Sequence, residues 1–120
     1  MNGFLRVARI EDLAARPGGE VRVALLGRRI LLRWGAGGEL EALELACRHQ
    51  NADLSSAARE GNVLTCPRHG WQYDLVSGAC LNEPWAALRR FEVCSDEAGA
   101  IWISTAPLEG PSVEEPLRSR

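Results

Sequence analysis

The sequence predicts a single all-β domain, and three observations support that prediction. A chain of 120 residues matches the usual size of one domain. Short runs of alternating apolar and polar residues recur along it, as expected for half-buried strands. Glycine is frequent, with 12 residues, and Gly27-Arg28 joins two β-rich runs in the manner of a tight hairpin.

The strands are expected in chain order, with turn residues between them. A short helical or turn-like step is predicted over Glu11–Ala15, and Pro17-Gly18-Gly19 ends it. Residues 46–58 and 66–71 are expected to form two loops, and residues 107–120, which mix proline, glycine and charge, a flexible tail. The predicted strands are Phe4–Arg9, Glu20–Leu26, Arg28–Trp34, Leu40–Leu45, Val63–Thr65, Gln72–Leu75, Leu88–Val93 and Ala100–Ser104.

Residues suited to metal chemistry are concentrated in two short stretches. The first is Cys47-Arg48-His49 and the second is Cys66-Pro67-Arg68-His69, with sixteen residues between His49 and Cys66. Both histidines of the chain and two of its four cysteines lie here. A Cys-x-His pair followed by a Cys-x-x-His pair is the ligand pattern of an iron–sulfur centre in which two histidines replace two cysteines on one iron.

The neighbouring residues extend this pattern. Together with Asn51-Ala52-Asp53-Leu54 and Gly70-Trp71-Gln72-Tyr73-Asp74, the chain resembles the Rieske-type ferredoxins and the Rieske domains of bacterial ring-hydroxylating oxygenases. The resemblance is dense from Leu43 to Val93. It implies the Rieske fold, with three antiparallel sheets in a domain spanning residues 1–106 and a small cluster-binding subdomain over about residues 46–87.

The resemblance also implies one Rieske-type [2Fe–2S] cluster and its ligands. Cys47 and Cys66 would bind the inner iron, and His49 and His69 the outer iron. Two neutral imidazoles in place of thiolates make the centre less negative and easier to reduce. Zinc is the alternative, but zinc fingers place about two to four residues between paired cysteines and do not mix cysteine with histidine in each pair.

The residues around the ligands predict a potential at the low end of the Rieske range. High-potential Rieske proteins carry an extra cysteine in each loop, and the matching positions here are Ala52 and Arg68. A serine that bonds a bridging sulfide is replaced by Trp71, and no tyrosine is expected to reach a cysteine ligand. Fewer donors to sulfur stabilise the reduced state less, which predicts a midpoint of about −150 mV.

Two arginines lie inside the ligand pairs and have two interpretations. The resemblance places a proline most often where this chain has Arg48. One hypothesis is that Arg48 and Arg68 form a basic rim around the exposed histidine edge and steer an acidic partner. The other is that both are ordinary solvated surface residues, in which case added salt would not slow electron transfer.

Other conspicuous side chains are expected to have structural roles. Trp71 and Trp85 would shield the cluster from water, with Pro84 fixing a third loop over it. Core packing accounts equally well for Trp34 and Trp102.

Two cysteines and two carboxylates complete this set. Cys80 and Cys94 lie outside the ligand pattern and are expected to be small, partly buried apolar side chains. Asp53 and Asp74 are expected to brace turns and not to act as catalytic groups.

The sequence therefore predicts an electron-transfer protein and not an enzyme. No residue is assigned a catalytic role, because both histidines are needed for iron and no phosphate-binding glycine loop is present. The resemblance implies a soluble ferredoxin that passes single electrons from a flavin-containing reductase to a terminal oxygenase. One alternative is a Rieske-like small subunit of a larger oxidoreductase, such as assimilatory nitrite reductase. Another is a module in which the metal only holds the fold.

Charge and hydropathy limit the remaining partner classes. The net charge of −2 gives no basis for binding nucleic acid or a membrane surface. The N-terminus lacks the pattern of a secretory signal, and no apolar run is long enough to span a bilayer. The expectation is a monomeric cytoplasmic protein whose four cysteines serve metal binding or packing and not disulfides.

Overall fold

The structure is a computed structural model, and it describes residues 3–108 except for residues 36, 49–51, 56 and 69. Within the described part of the chain, the helical elements are the α-helix α1 (Ile10–Ala14) and two 3-10 turns, Pro17–Gly19 and Pro84–Ala86. The strands in those residues are β1 (Phe4–Arg9), β2 (Glu20–Leu25), β3 (Arg28–Trp34), β4 (Leu40–Glu44), β5 (Ala58–Glu60), β6 (Val63–Thr65), β7 (Gln72–Asp74), β8 (Arg90–Ser95) and β9 (Ala100–Pro107). The all-β prediction is confirmed.

The described residues fall into two compact units. Residues 3–44 and 90–108 make up the first, which we call the sheet unit. Residues 45–89 belong to the second, which we call the loop unit. No helix in the described ranges is long and apolar enough to cross a membrane.

The sheet unit is one antiparallel sheet with the strand order β1-β9-β8-β4-β3-β2. Alternation along β3 and β4 turns Ile30, Leu32 and Ala42 into a core that Phe91 and Ile101 complete. Burial of such side chains contributes about 1.5–3 kcal/mol each relative to exposure. The periodicity in the sequence therefore corresponds to a real apolar face.

The β2–β3 hairpin shows why the sequence located this part of the sheet well. Leu25 pairs with Arg28, so Leu26 and Gly27 form the turn, one residue earlier than the predicted Gly27-Arg28. Their φ angles are 50° and 84°, which is the pair of positive values that a type I′ turn requires. Glycine adopts this conformation readily, whereas Leu26 is in a region that leucine rarely occupies.

The expectation of three antiparallel sheets needs a correction. Hydrogen bonding among the described strands gives two sheets, the six-stranded one and a three-stranded one of order β5-β6-β7. The reason is a short contact between β4 and β8, in which Ala42 pairs with Phe91 and Leu43 with Arg90. These two pairs join what would otherwise be separate sheets.

The loop unit contains three-residue strands and long connections. β6 pairs with β5 and β7, and Leu64 lies opposite Tyr73 at the centre. β5 begins at Ala58, the last residue of the predicted loop 46–58, and was not predicted as a strand. All three of its side chains are exposed, so it leaves no apolar alternation to detect.

The last strand ends three residues after its predicted end at Ser104 and includes the first residue of the predicted tail. β9 continues to Pro107, and Leu108 donates its amide to the carbonyl of Arg90. The tail was predicted to begin at residue 107. Residues 109–120 lie outside the described residues.

Candidate metal centre

Backbone hydrogen bonds close the base of the first loop at Cys47 and at Leu45. The Cys47 amide donates to the Ala52 carbonyl at 2.8 Å, and the Leu54 amide donates to Leu45 at 2.9 Å. Asp53 accepts from the Ser55 amide at 2.8 Å, as predicted for a turn-bracing carboxylate. Cys47 is therefore held by a rigid base.

The second loop is closed by Cys66 itself. Its amide donates to the Trp71 carbonyl at 2.7 Å, and its carbonyl accepts from the Gly70 amide at 2.9 Å. Gly70 has a φ of 75° with open space where a side chain would begin. Backbone conformation and not crowding is therefore what favours glycine after the second ligand pair.

Both predicted cysteine ligands are buried in the loop unit. Cys47 is 0% and Cys66 1% exposed, and no disulfide joins any of the four cysteines, all of which are described. The thiolate form that binds metal is costly to bury unless a cation compensates its charge. Cys47 and Cys66 could therefore serve as metal ligands, with the metal compensating the charge of their thiolates.

The two histidine ligands cannot be compared with this geometry. His49 and His69 both lie outside the described residues. Among residues that are described, no group of three or more histidine, cysteine, aspartate or glutamate side chains could hold a metal ion. Half of the predicted four-residue set lies outside those residues, so the complete set stays a prediction.

Tyr73 contacts a predicted ligand, and the sequence interpretation missed this contact. Its hydroxyl donates to the Cys47 sulfur at 3.3 Å and accepts from the Arg48 amide at 2.9 Å. The side chain is fully buried. Burial raises the pKa of Tyr73 above its usual range, and the hydrogen bond to Cys47 raises it further. The hydroxyl therefore keeps its proton and donates it in a hydrogen bond to the Cys47 sulfur.

The expectation that no tyrosine reaches a cysteine ligand was thus wrong. A hydroxyl proton on a sulfur is most stabilising when that sulfur carries negative charge. It should favour the reduced, more negative state of a bound cluster and raise its potential. A signal was available, because a tyrosine on the inward side of a strand needs a hydrogen-bond partner.

Arg48 matches neither interpretation drawn from the sequence. Its side chain is half-buried, and its Nη1 donates to the Ala87 carbonyl at 2.7 Å. It is therefore neither an ordinary solvated arginine nor simply part of an exposed rim. Arg68, its counterpart in the second pair, is exposed. The basic-rim hypothesis is left with one of its two members.

The third loop, Asn82–Ala87, carries one of the exposed apolar side chains of the loop unit. Trp85 is 52% exposed and packs edge-on against half-buried Trp71, with ring centroids 6.0 Å apart. The Ala86 amide donates to Glu83 at 3.0 Å, which fixes the 3-10 turn. The two rings are in contact and half of the Trp85 surface faces solvent, and the shielding of a cluster by these tryptophans stays a prediction.

Asp74 and the two cysteines outside the ligand pattern can be compared with the predictions. Asp74 braces its turn by accepting from the Val76 amide at 2.9 Å, and Cys80 is buried, both as predicted. Cys94 is half-buried.

Core packing is wrong for Trp34, which is 43% exposed. Trp102 is half-buried and donates to Asp96 at 3.0 Å.

Comparison with known families and curated proteins agrees with this geometry. A family model described as "Rieske [2Fe-2S] domain" matches residues 3–92. Methylxanthine N1-demethylase NdmA of Pseudomonas putida is 38% identical over 93 residues, which is 71% of this chain. That match spans only 26% of the demethylase, so the chain corresponds to about a quarter of that relative's length.

Solved structures include chains of similar size. A chain in the complex of reduced oxygenase and oxidised ferredoxin in carbazole 1,9a-dioxygenase is 27% identical, with a TM-score of 0.63. The match covers 92% of this chain and 100% of the other. The ferredoxin of carbazole 1,9a-dioxygenase from Nocardioides aromaticivorans IC177 has a TM-score of 0.60 at 22% identity, over 88% of this chain and 100% of its own. The latter likeness shows the fold alone.

Proposed function

The chain belongs to the Rieske [2Fe–2S] domain family, and from this premise we propose that it is a one-electron carrier with Cys47, His49, Cys66 and His69 as the cluster ligands. Family membership implies one Rieske-type [2Fe–2S] cluster as cofactor. When bound, the cluster supplies a centre that takes up and returns one electron at a time. The protein's own residues would bind the cluster, bury the two cysteine sulfurs that hold it and adjust its potential.

One observation carries this proposal. Cys47 and Cys66 are both buried, are not joined in a disulfide, and lie at the bases of two hydrogen-bonded loops in one compact unit. A rigid, water-poor site suits electron transfer, because little has to rearrange when the charge changes. Tyr73 adds a proton donor on the Cys47 sulfur, which fits a sulfur that carries metal-bound negative charge.

The site also changes the expected potential. Two of the three reasons for a low value remain, because Ala52 and Arg68 cannot form a disulfide and Trp71 offers no hydroxyl. The third is removed by Tyr73. The midpoint is therefore expected above the low limit of about −150 mV but below about +100 mV. Titration of the purified protein measures it directly.

The proposed partners are a flavin-containing reductase as donor and a terminal oxygenase as acceptor. Support comes from the likeness to the whole of a chain in an oxygenase–ferredoxin complex. Transient redox encounters bury little surface, typically less than about 1,200 Å². The expected outcome is that the reductase reduces this protein and that a cognate oxygenase reoxidises it with turnover.

A second candidate is a Rieske domain or fixed subunit within a larger oxidoreductase. The match to part of the methylxanthine demethylase favours it. The electron-transfer chemistry is the same, but the partner would then be permanent. Native purification separates the two: stable copurification with a catalytic chain supports the subunit, whereas isolation of the protein alone with fast shuttling supports the carrier.

The ligand assignment is tested by single substitutions with matched cysteine controls. Cys47→Ala, Cys66→Ala, His49→Ala and His69→Ala should each abolish the visible absorption and the paramagnetic signal of the dithionite-reduced protein. Cys80→Ala and Cys94→Ala remove the same thiol elsewhere and should keep both signals. A colourless, zinc-containing wild-type protein would refute the electron-carrier proposal altogether.

A further inference from the structure

Arg48 is hydrogen-bonded through both its backbone and its side chain. The backbone amide donates to the Tyr73 hydroxyl oxygen at 2.9 Å, and the guanidinium Nη1 donates to the Ala87 carbonyl at 2.7 Å. Tyr73 lies on β7, and Ala87 ends the third loop. One residue of the first loop is therefore tied to two other parts of the loop unit.

The bond from the amide determines where the tyrosine proton lies. A phenolic oxygen can accept and also donate one hydrogen bond. The Arg48 amide donates to the Tyr73 oxygen, and the hydroxyl hydrogen points at the Cys47 sulfur. The oxygen and the sulfur are 3.3 Å apart. Hydrogen bonds in series also polarise one another, so the amide strengthens the tyrosine as a donor.

The bond from the guanidinium has a separate effect. The third loop is held locally by the Ala86 amide on Glu83 and by the Leu88 amide on Gly78, at 3.0 and 2.8 Å. The Arg48 side chain adds a charge-assisted bond from the first loop. This bond joins the segment next to Cys47 to the segment that carries Trp85.

We propose that Arg48 is a positioning residue for the cluster site, acting through two separable groups. Its amide aims and polarises the Tyr73 hydroxyl toward Cys47, and its guanidinium holds the third loop. The proposal rests on Cys47 being a cluster ligand, and it is independent of which partners exchange electrons with the protein. It assigns to Arg48 a role in setting the potential and a role in ordering the loop.

Two substitutions separate the two groups. Arg48→Met removes the guanidinium and keeps the amide hydrogen, whereas Arg48→Pro removes both. Arg68→Met is the matched control, because it removes the same charge from the equivalent exposed position in the second pair. All three are compared for midpoint potential and for amide hydrogen exchange of Ala86 and Leu88.

The expected pattern differs between the readouts. Arg48→Met and Arg68→Met should each lower the potential, because each removes one positive charge, and the effect of Arg68→Met should be smaller because its side chain is exposed and better screened. Only the Arg48 variants should speed exchange at Ala86 and Leu88. Arg48→Pro should lower the potential further than Arg48→Met, and that extra shift should vanish when both are made in a Tyr73→Phe background.

Specific results would overturn each half. Equal potentials for Arg48→Pro and Arg48→Met, with Tyr73 present, would refute the role of the amide. Exchange at Ala86 and Leu88 that is unchanged in Arg48→Met would refute the role of the guanidinium.

A further measurement covers the case in which Arg48→Pro does not fold. Tyr73→Phe should speed exchange of the Arg48 amide itself, and an unchanged rate would contradict the proposal. Retention of the visible spectrum in every variant separates these outcomes from a wrong assignment of Cys47, which would be revealed by a Cys47→Ala protein that keeps its cluster.

Discussion

The sheet unit and the loop unit are stabilised in different ways. The sheet unit has strands of five to eight residues and a contiguous apolar core. The loop unit has strands of three residues and also buries leucines, among them Leu54, Leu64 and Leu75. Its loops are joined by specific hydrogen bonds, such as Cys66 to Trp71 and Tyr73 to Cys47, and a bound cofactor would add to its stability.

Cluster removal should have the largest effect and should be confined to the loop unit. Metal binding is coupled to folding of the site that holds the metal. In the apo protein, amides of Cys66, Asp74 and Leu75, all hydrogen-bonded in the loop unit, should exchange about a thousandfold faster, roughly 4 kcal/mol. Amides of β3 and β4 are the internal control, and equal acceleration in both units would contradict the comparison.

Truncation in the core should reverse the pattern. Leu32 is fully buried in the sheet unit, so Leu32→Ala should lower the free energy of unfolding by about 2–5 kcal/mol. Leu81→Ala, at a position 55% exposed in the loop unit, should change it by less than about 0.5 kcal/mol. Denaturant unfolding of the loaded protein measures both. Similar costs for the two variants would mean that burial does not distinguish these positions.

Removal of one hydrogen bond should affect redox behaviour only in the loop unit. Tyr73→Phe deletes the donor to Cys47, and a loss of about 1 kcal/mol of preference for the reduced state lowers the midpoint by roughly 40 mV. Trp102→Phe deletes a donor to Asp96 in the sheet unit and should leave the potential unchanged. An equal shift of the midpoint potential in both variants would contradict this prediction.

Protonation of Asp96 should have the smallest of these effects, and it should act on the sheet unit. The hydrogen bond from Trp102, and then that from the Ala100 amide, lower the pKa of Asp96 below its ordinary value. A carboxylate with a lowered pKa adds stability above its ordinary pKa, and that stability is lost as pH falls through the lowered value. Asp96→Asn should therefore show less change in thermal midpoint between about pH 5 and pH 2 than the wild type. If the thermal midpoints of the two proteins differ by the same amount at low pH as at neutral pH, Asp96 does not cause the acid-dependent loss of stability.

The sequence predicted the sheet unit well because its signals are local. Alternation located β1, and β-rich runs located β2 and β3. The hairpin between β2 and β3 was predicted, but its turn lies one residue earlier than expected. β5 was missed because its side chains are all exposed, so nothing in the pattern marks it as a strand. The joining of β4 to β8 depends on residues far apart in the chain, which no local pattern reports.

The candidate site was predicted unequally for the same reason. The cysteine positions follow from spacing, and the structure places both in buried loop bases. The bonds of Tyr73 to Cys47 and of Arg48 to Ala87 join residues 26 and 39 positions apart. Sequence alone offers only an indirect hint, namely that the chain's one tyrosine faces inward from β7 and must find a partner.

The pairing of Leu43 with Arg90 gives the chain a modular character. Because β4 ends at Glu44 and β8 begins at Arg90, the segment between them leaves and rejoins the sheet at adjacent strands. Such a segment can be exchanged as a cassette with little change to its host. Transplanting residues 45–89 between β4-like and β8-like strands of another antiparallel scaffold should therefore transfer the redox centre with them.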